Sequence, residues 1–433
     1  GAGPGAPLPR GRGAAAFRCR AAASGEAPGA KGRGGGKGAG TGTGAGAAAR
    51  AVAAPRAPAQ EAGSDEAAEV RRLKAMNPGA KHVKWVGLSY SEQYDQLYAD
   101  DSWSYANIPK KALPKPSPFK QKTAEGATPV PLSQEVFGTV KTFLFKARKW
   151  DLKDYSYAAV IVGMHLGCLL APMTASWKMF GLFMASYFAT GCLGITLSYH
   201  RNLSHKSFAL PKWLEYTLAY CGAQAWQGDP MEWVSTHRYH HLHCETPLDP
   251  HTIYEGFWWS HIGWLMDWKV TERRTGDQTN AKEMQDQPFY THMQKHYSWH
   301  VAGSLALLFA LGGLPALVWG GCVRICWVWH VTWFVNSASH VWGNQDFATG
   351  DHSRNNWWVG LLAFGEGWHN NHHAFDFSAR HGLRAKQFDM TWIIVRALQY
   401  LGLATKVRLP TEKAMQRLAV DPSNPVPLRT GFF

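Results

Sequence analysis

The chain has 433 residues, with 45 Lys+Arg against 31 Asp+Glu, 20 His and 21 Trp, enough for one large domain or two ordinary ones. Seven cysteines with no C-x-x-C pair argue against a disulfide scaffold or a structural zinc ribbon. The net charge of +14 does not describe a nucleic-acid surface, because residues 1–60 alone carry +8 of it, while 18 of the 20 histidines lie between His200 and His381.

In chain order, residues 1–60 are mostly Gly and Ala with interspersed Arg and Lys, and Phe17 is their single aromatic. Such a stretch buries too little surface to offset its ordering entropy. It has no apolar run of the kind a secretory signal needs. Its basic, acid-poor composition matches an organelle transit peptide, in a Gly/Ala/Arg bias that suits a GC-rich algal plastid protein; a plain disordered tail is the alternative. Residues 61–135, with a Pro- and Lys-rich stretch from Lys110 to Pro131, read as a connector. Residues 136–433 are expected to form one membrane domain.

Tyr157 to Thr174 holds no charged residue, and neither does Met179 to Ser198. Each is about long enough to cross the hydrocarbon as a helix. A second pair follows, Val301 to Val318 and Trp319 to Ala338, broken by Gly312-Gly-Leu-Pro315 and by Gly320-Gly321. The expected fold is an all-α integral membrane protein with four transmembrane helices in two hairpins. The last span carries Arg324 and His330, which must face protein or a cavity. Two hairpins leave the N-terminal part, residues 200–298 and everything after His340 on one side. Lys146, Arg148, Lys149 and Lys153 mark that side as cytoplasmic or stromal.

The histidines cluster on that same face, where they would form a helical cap: His200-Arg-Asn-Leu-Ser-His205, His237-Arg-Tyr-His240-His241 and His369-Asn-Asn-His372-His373. In the latter two, H-x-x-H-H spacing puts the first His on the helical face of the next two. Asn336 and His340, i and i+4, end the last span. Neutral imidazole ligates iron, copper and zinc. Nine histidines and one Asn exceed a four-ligand zinc site and suit two octahedral metals with positions left open. Glu366-Gly-Trp-His369 is the one E-x-x-H pair among these clusters, so a carboxylate-bridged centre is disfavoured. Asp229, Glu232, Glu245, Asp249 and Glu366 are expected to orient the ligating imidazoles. His82, His165, His292, His296 and His300 are read as structural.

At these residues the chain resembles the membrane fatty acid desaturases of the acyl-CoA desaturase type. H-x-x-x-x-H, H-R-x-H-H and E-G-W-H-N-x-H-H, with N-S-x-x-H before the last, are that family's ligand set in order. The flanking text agrees, as in Gln227-Gly-Asp-Pro-Met-Glu-Trp233 and Gly256-Phe-Trp-Trp-Ser-His261. The wording is most similar to the plant branch, which holds plastid palmitoyl-galactolipid Δ7 desaturases and endomembrane Δ9-type acyl-CoA desaturases. The resemblance implies a di-iron centre held by His200, His205, His237, His240, His241, His340, His369, His372 and His373, with Asn336 reaching one iron through water. It implies an acyl tunnel whose kink is lined by Gln227, Trp233, Thr332 and Trp333. Acyl-CoA members carry Arg-Asp before the second box; here the pair is Ser235-Thr236, which weakens the case for a CoA substrate and leaves room for a lipid-bound acyl chain.

The activity implied is O₂-dependent removal of two hydrogens from a saturated acyl chain, palmitoyl on a plastid galactolipid at carbon 7, with Δ9 acyl-CoA desaturation as the alternative. No haem segment or dinucleotide fingerprint is present, so a separate electron donor is expected: ferredoxin in a chloroplast membrane, cytochrome b5 in the endoplasmic reticulum. A di-iron hydroxylase would use the same ligands. A bis-histidine haem carrier would need His pairs within spans, and an RNA-binding reading rests on the tail alone.

Overall fold

In the computed structural model the described residues are 150–420, apart from 247, 276 and 277. The transit-peptide and connector expectations, and the basic trio Lys146, Arg148 and Lys149, fall outside them. Among the described residues the structure is helical, with isolated β-bridges such as Ala209–Thr405 and no sheet.

Helix α1 (Leu152–Cys168) starts at a capping box, in which Asp151 accepts from the Lys153 and Asp154 amides and Asp154 returns a bond to the Asp151 amide. Pro172–Thr174 makes one 3₁₀ turn, and Ser176 then caps α2, a continuous helix over Trp177–Ser204. Its second half, Phe188–Ser204, is wound as a π-helix, and the His205 amide continues the i→i+5 pattern onto His200 O at 3.2 Å. The widened turn delivers His200 and His205 at the helix end. Helix α3 (Lys212–Ala223) packs against α2 where Gly194 and Gly222 let the backbones touch: a Cβ on Gly194 would lie 2.4 Å from Gly222 N.

Helix α4 (Pro230–His243) begins at Asp229, whose carboxylate accepts from the Met231 and Glu232 amides, with Pro230 at its first position. It carries the second histidine cluster. The short α5 (Phe257–His261) and α6 (Trp268–Thr275) follow. Helix α7 (Pro288–Ala316) breaks at Gly313, whose φ of 63° and ψ of −159° only glycine adopts readily, and Pro315 follows. The chain then runs through a π-wound stretch (Leu317–Val323) into α8 (Arg324–Asn336) and α9 (Ala338–Val341). Helices α10 (Trp357–Leu362), α11 (His369–Ala374) and α12 (Met390–Tyr400) complete the region around the histidines.

Among the described residues two helical stretches are long and apolar enough to cross a membrane: Trp177–Ser204, and Pro288–Val341 with its break at Gly313. The first expected span is realised as the 17-residue α1, which ends at Cys168, short of the expected Thr174. Large apolar side chains are exposed on these segments and on the turn before the first, among them Trp177 at 88% exposure, Met173 at 83% and Leu311 at 81%. Such a surface associates with lipid rather than water. The two ionisable groups in the last expected span face protein. Arg324 is buried, donating from Nε to Gly320 O at 2.8 Å and from Nη1 to Gln224 O. His330 lies 2.9 Å from His165 and 3.0 Å from His261, so His165, read as an isolated structural residue, belongs to a three-imidazole chain.

Candidate metal centre and acyl cavity

Five of the nine expected ligands, His200, His205, His237, His241 and His372, converge, and the other four, His240, His340, His369 and His373, form a second group; within each, one ring nitrogen per residue lies within 4.8 Å of all the others. Facing Nε2 atoms approach closely: His205–His237 at 2.8 Å, His241–His372 at 2.9 Å, His340–His369 at 3.0 Å and His200–His372 at 3.1 Å. Asn336 borders the same space, beside His237 and His369.

Carboxylates set the direction of four rings. Glu366 Oε2 lies 2.6 Å from His200 Nδ1, Asp249 Oδ1 lies 2.9 Å from His240 Nδ1, Glu245 Oε1 lies 3.1 Å from His340 Nδ1, and Asp351 Oδ2 lies 2.9 Å from His373 Nδ1. A proton held on Nδ1 leaves the Nε2 lone pair free to point inward. Burial, helped by the neighbouring imidazoles, holds His205, His237, His241, His369 and His372 well below the usual imidazole range, so they are neutral at pH 7. Burial alone would raise Glu366, but Arg201, His381 and His200 overcome it and keep the carboxylate ionised. Arg201 is itself fully buried, bonded to Glu366 Oε1 through Nε at 3.0 Å and to Asp389 through both terminal nitrogens at 3.0 Å.

Two imidazoles that both keep their lone pair on Nε2, as Nδ1 bonding to a carboxylate makes them do, repel at such distances unless a proton or a metal cation lies between them. Two nitrogens bound at right angles to one metal, each at about 2.1 Å, would be about 3.0 Å apart. The observed separations match, and His240 Nε2 is buried with no hydrogen-bond partner. The donor set therefore fits two metal ions, one per group.

Two of the expected orienting acids lie elsewhere. Asp229 is spent as the α4 cap, and Glu232 lines a cavity, with no ion pair to an imidazole among the described residues. Both are near the second cluster in sequence but stand at the start of α4, Asp229 as its N-cap and Glu232 in its first turn, a turn or more before His237. Asp351, Arg201, Asp389 and His381 went unrecognised. His381 Nδ1 lies 3.0 Å from Glu366 Oε2, and Asp351 comes from a loop after His340 with no spacing that would mark it.

Beside the histidines lies a cavity of about 380 Å³. All four expected tunnel residues, Gln227, Trp233, Thr332 and Trp333, line it. Three of them are linked: Trp233 Nε1 donates to Gln227 Oε1 at 3.2 Å, and Gln227 Nε2 donates to Thr332 Oγ1 at 2.9 Å. Its outer end is flanked by exposed Ser156, Val160 and Ser298, its inner end by His237 and Asn336. A second, narrower cavity of about 40 Å³ shares Trp233, His237, Thr332 and Asn336 with the first and continues between Ile195, Val328, Val331 and Ala363 to Tyr187 and Phe364, whose rings meet at 4.7 Å. The two adjoin at these shared residues and together run past the histidine nest.

A helical protein with a buried imidazole nest, able to hold metal and set beside a largely apolar cavity, defines a metal-binding class that accommodates a long apolar chain. Comparison with known proteins resolves the class. The fatty acid desaturase family model matches residues 175–398, and the chain belongs to that family. A chloroplastic palmitoyl-monogalactosyldiacylglycerol delta-7 desaturase of Arabidopsis thaliana is 55% identical over 272 residues, 63% of this chain and 73% of that protein. An acyl-CoA C20 Delta5-desaturase of Anemone leveillei is 50% identical over 61% of this chain and 85% of its own length. The delta-9 acyl-lipid desaturase 1 of Arabidopsis thaliana is 46% identical over 63% and 91%. The chain is thus an oxidoreductase that desaturates fatty acyl groups.

Proposed function

We propose that this chain introduces a cis double bond at carbon 7 of a palmitoyl chain carried on a plastid galactolipid, in a multi-pass membrane domain of four spans with its di-iron centre in a cap on the stromal side. The observation that carries the reading is the five-plus-four imidazole set beside the cavity, joined to the 55% identity with a delta-7 galactolipid desaturase.

His200, His205, His237, His241 and His372 would hold one iron. His240, His340, His369 and His373 would hold the other, with Asn336 reaching it through water. Iron so held would supply, with O₂ and two electrons, the oxidant that an unactivated C–H bond requires, since no side-chain acid or base can break it. The chain's own residues do the rest. Glu366, Asp249, Glu245 and Asp351 hold four rings so that their lone pairs face inward. Trp233 stacks on His237 at 5.1 Å and, with Gln227 and Thr332, shapes the wall that selects one C–C bond. Tyr187 and Phe364 close the deep end, and the apolar walls exclude water.

Electrons come from a separate donor, ferredoxin in the plastid. Expression with ferredoxin and its reductase, followed by double-bond location in each lipid class, tests the whole reading. A 16-carbon galactolipid chain unsaturated at carbon 7 is expected. A Δ9 product in the acyl-CoA pool, with cytochrome b5 as the effective donor, would replace it, and an added oxygen would make the enzyme a hydroxylase.

A further inference from the structure

Three histidines outside the metal nest have no part in the chemistry above. His292, His296 and His300 stand on α7 at i, i+4 and i+8, just before Val301, where the third expected span begins. A structural role would bury them, yet His292 is exposed and His296 and His300 are half-buried. Among the described residues no carboxylate pairs with any of the three.

Their rings nevertheless gather. Positions eight residues apart on a helix are separated by about 12 Å. His292 Nε2 and His300 Nε2 lie 3.2 Å apart, so the two side chains lean toward each other across two turns. The His296 ring stands 4.7 Å from that of His292, inside the 4.6 and 4.9 Å spacings of His205–His241 and His340–His369 in the nest. The His300 ring packs edge-on against Tyr220 of α3 at 5.6 Å, with its Nδ1 3.5 Å from the hydroxyl, which leaves Nε2 as the nitrogen facing His292.

A proton shared between two imidazoles accounts for the His292–His300 approach alone. It gives no reason for the third ring to be drawn in, and ordering three side chains at a wet surface costs conformational entropy. An ion held by all three offsets that cost. Imidazoles four residues apart on one helix face chelate zinc. Two nitrogens at about 2.1 Å from one tetrahedral ion would be about 3.4 Å apart, and at right angles about 3.0 Å. The 3.2 Å separation lies between these values. An all-imidazole set suits a borderline divalent ion and not calcium or magnesium, which take oxygen ligands.

We propose that His292, His296 and His300 form a further metal site, for a divalent transition ion of the zinc type, outside the nine-histidine nest. Three ligands leave the fourth position open to water. The ion ties two turns of α7 together ahead of the span, and Tyr297 and Ser298, which line the outer cavity, fall between its ligands in the chain.

Zinc uptake by the iron-loaded full chain in detergent tests it, with zinc and iron counted by elemental analysis. Wild type is expected to retain one zinc per chain more than H292A/H296A/H300A, with equal iron in both, which also shows that the variant folds. H296A alone should weaken zinc binding by about tenfold or more, since each ligand carries a share of a zinc site's binding energy. K295A, between the ligands, should bind zinc as wild type does. Zn²⁺ should raise the unfolding midpoint of wild type and not that of the triple variant. Zinc retained equally by the triple variant, or zinc entering wild type only by displacing iron, overturns the site. Unchanged affinity in H296A would reduce the cluster to a His292–His300 pair sharing a proton, and the proposal would fall.

Discussion

Asp351 is the residue whose weight only geometry reveals. Its carboxylate lies 2.9 Å from His373 Nδ1, and it also accepts from the Ser353 amide at 3.1 Å. Orienting partners of this kind are worth 10–100-fold in metal affinity. Asp351→Asn is therefore expected to weaken iron binding by about 10–100-fold while the far-ultraviolet circular dichroism stays unchanged; chelator competition followed by elemental analysis measures it. Arg201 is a sharper case. It is buried without exposure between Glu366 and Asp389, and its loss would leave two carboxylates uncompensated. Arg201→Met should destabilise the protein by about 3–5 kcal/mol, since a buried charge loses its partner. A thermal unfolding scan checks this, and an unchanged midpoint would deny the network its role. At this scale the histidines are legible in the sequence because they cluster, two of the three groups at the α-helical H-x-x-H-H spacing. Glu245, Asp249 and Glu366 were legible because they sit beside those clusters. Asp351, Asp389 and His381 were not, because distance along the chain hides a contact that folding creates.

Two elements position the centre. The π-winding of α2 places His200 and His205 at its end, and the approach of α3 at Gly194 holds that helix in place. Gly194→Ala puts a methyl group 2.4 Å from Gly222 N, and overpacking of this kind costs about 1–3 kcal/mol. A lowered unfolding midpoint together with reduced iron content is the expected outcome; an unchanged midpoint would show that the two helices part without cost. The second element is the deep end of the path, where Tyr187 and Phe364 meet. Phe364→Ala removes one side of that stop and should shift the product profile from 16-carbon toward 18-carbon chains, which a mixed-substrate assay with chain-length analysis would show. Had the profile stayed fixed, the end of the path would lie elsewhere. Apolar runs announced these helices in the sequence. The helix lengths were less legible: α1 stops at Cys168, and Gly313 divides the longest helix at a point marked by the Gly-Gly-Leu-Pro text.

For the whole molecule, the uneven charge has a consequence that can be measured. Residues 1–60 hold +8 of the +14 and none of the clustered histidines. Deleting them should leave specific activity and iron content unchanged in a purified membrane fraction while abolishing delivery to the plastid, as subcellular fractionation would show. Loss of iron or of turnover on deletion would make the segment part of the enzyme.

Sequence alone determined the class of chemistry, because a metal ligand must be a particular side chain, and three histidine clusters, two of them in H-x-x-H-H spacing, gather on one face beyond the apolar segments. It also settled that the protein is helical and has lipid-facing surface, since long uncharged stretches leave the backbone few other options. Tertiary structure decided how the nine imidazoles divide into five and four, which acids orient them, and that Glu232 lines a cavity instead. Those outcomes depend on which helix faces meet, and contacts between segments far apart in the chain leave no periodic trace in it.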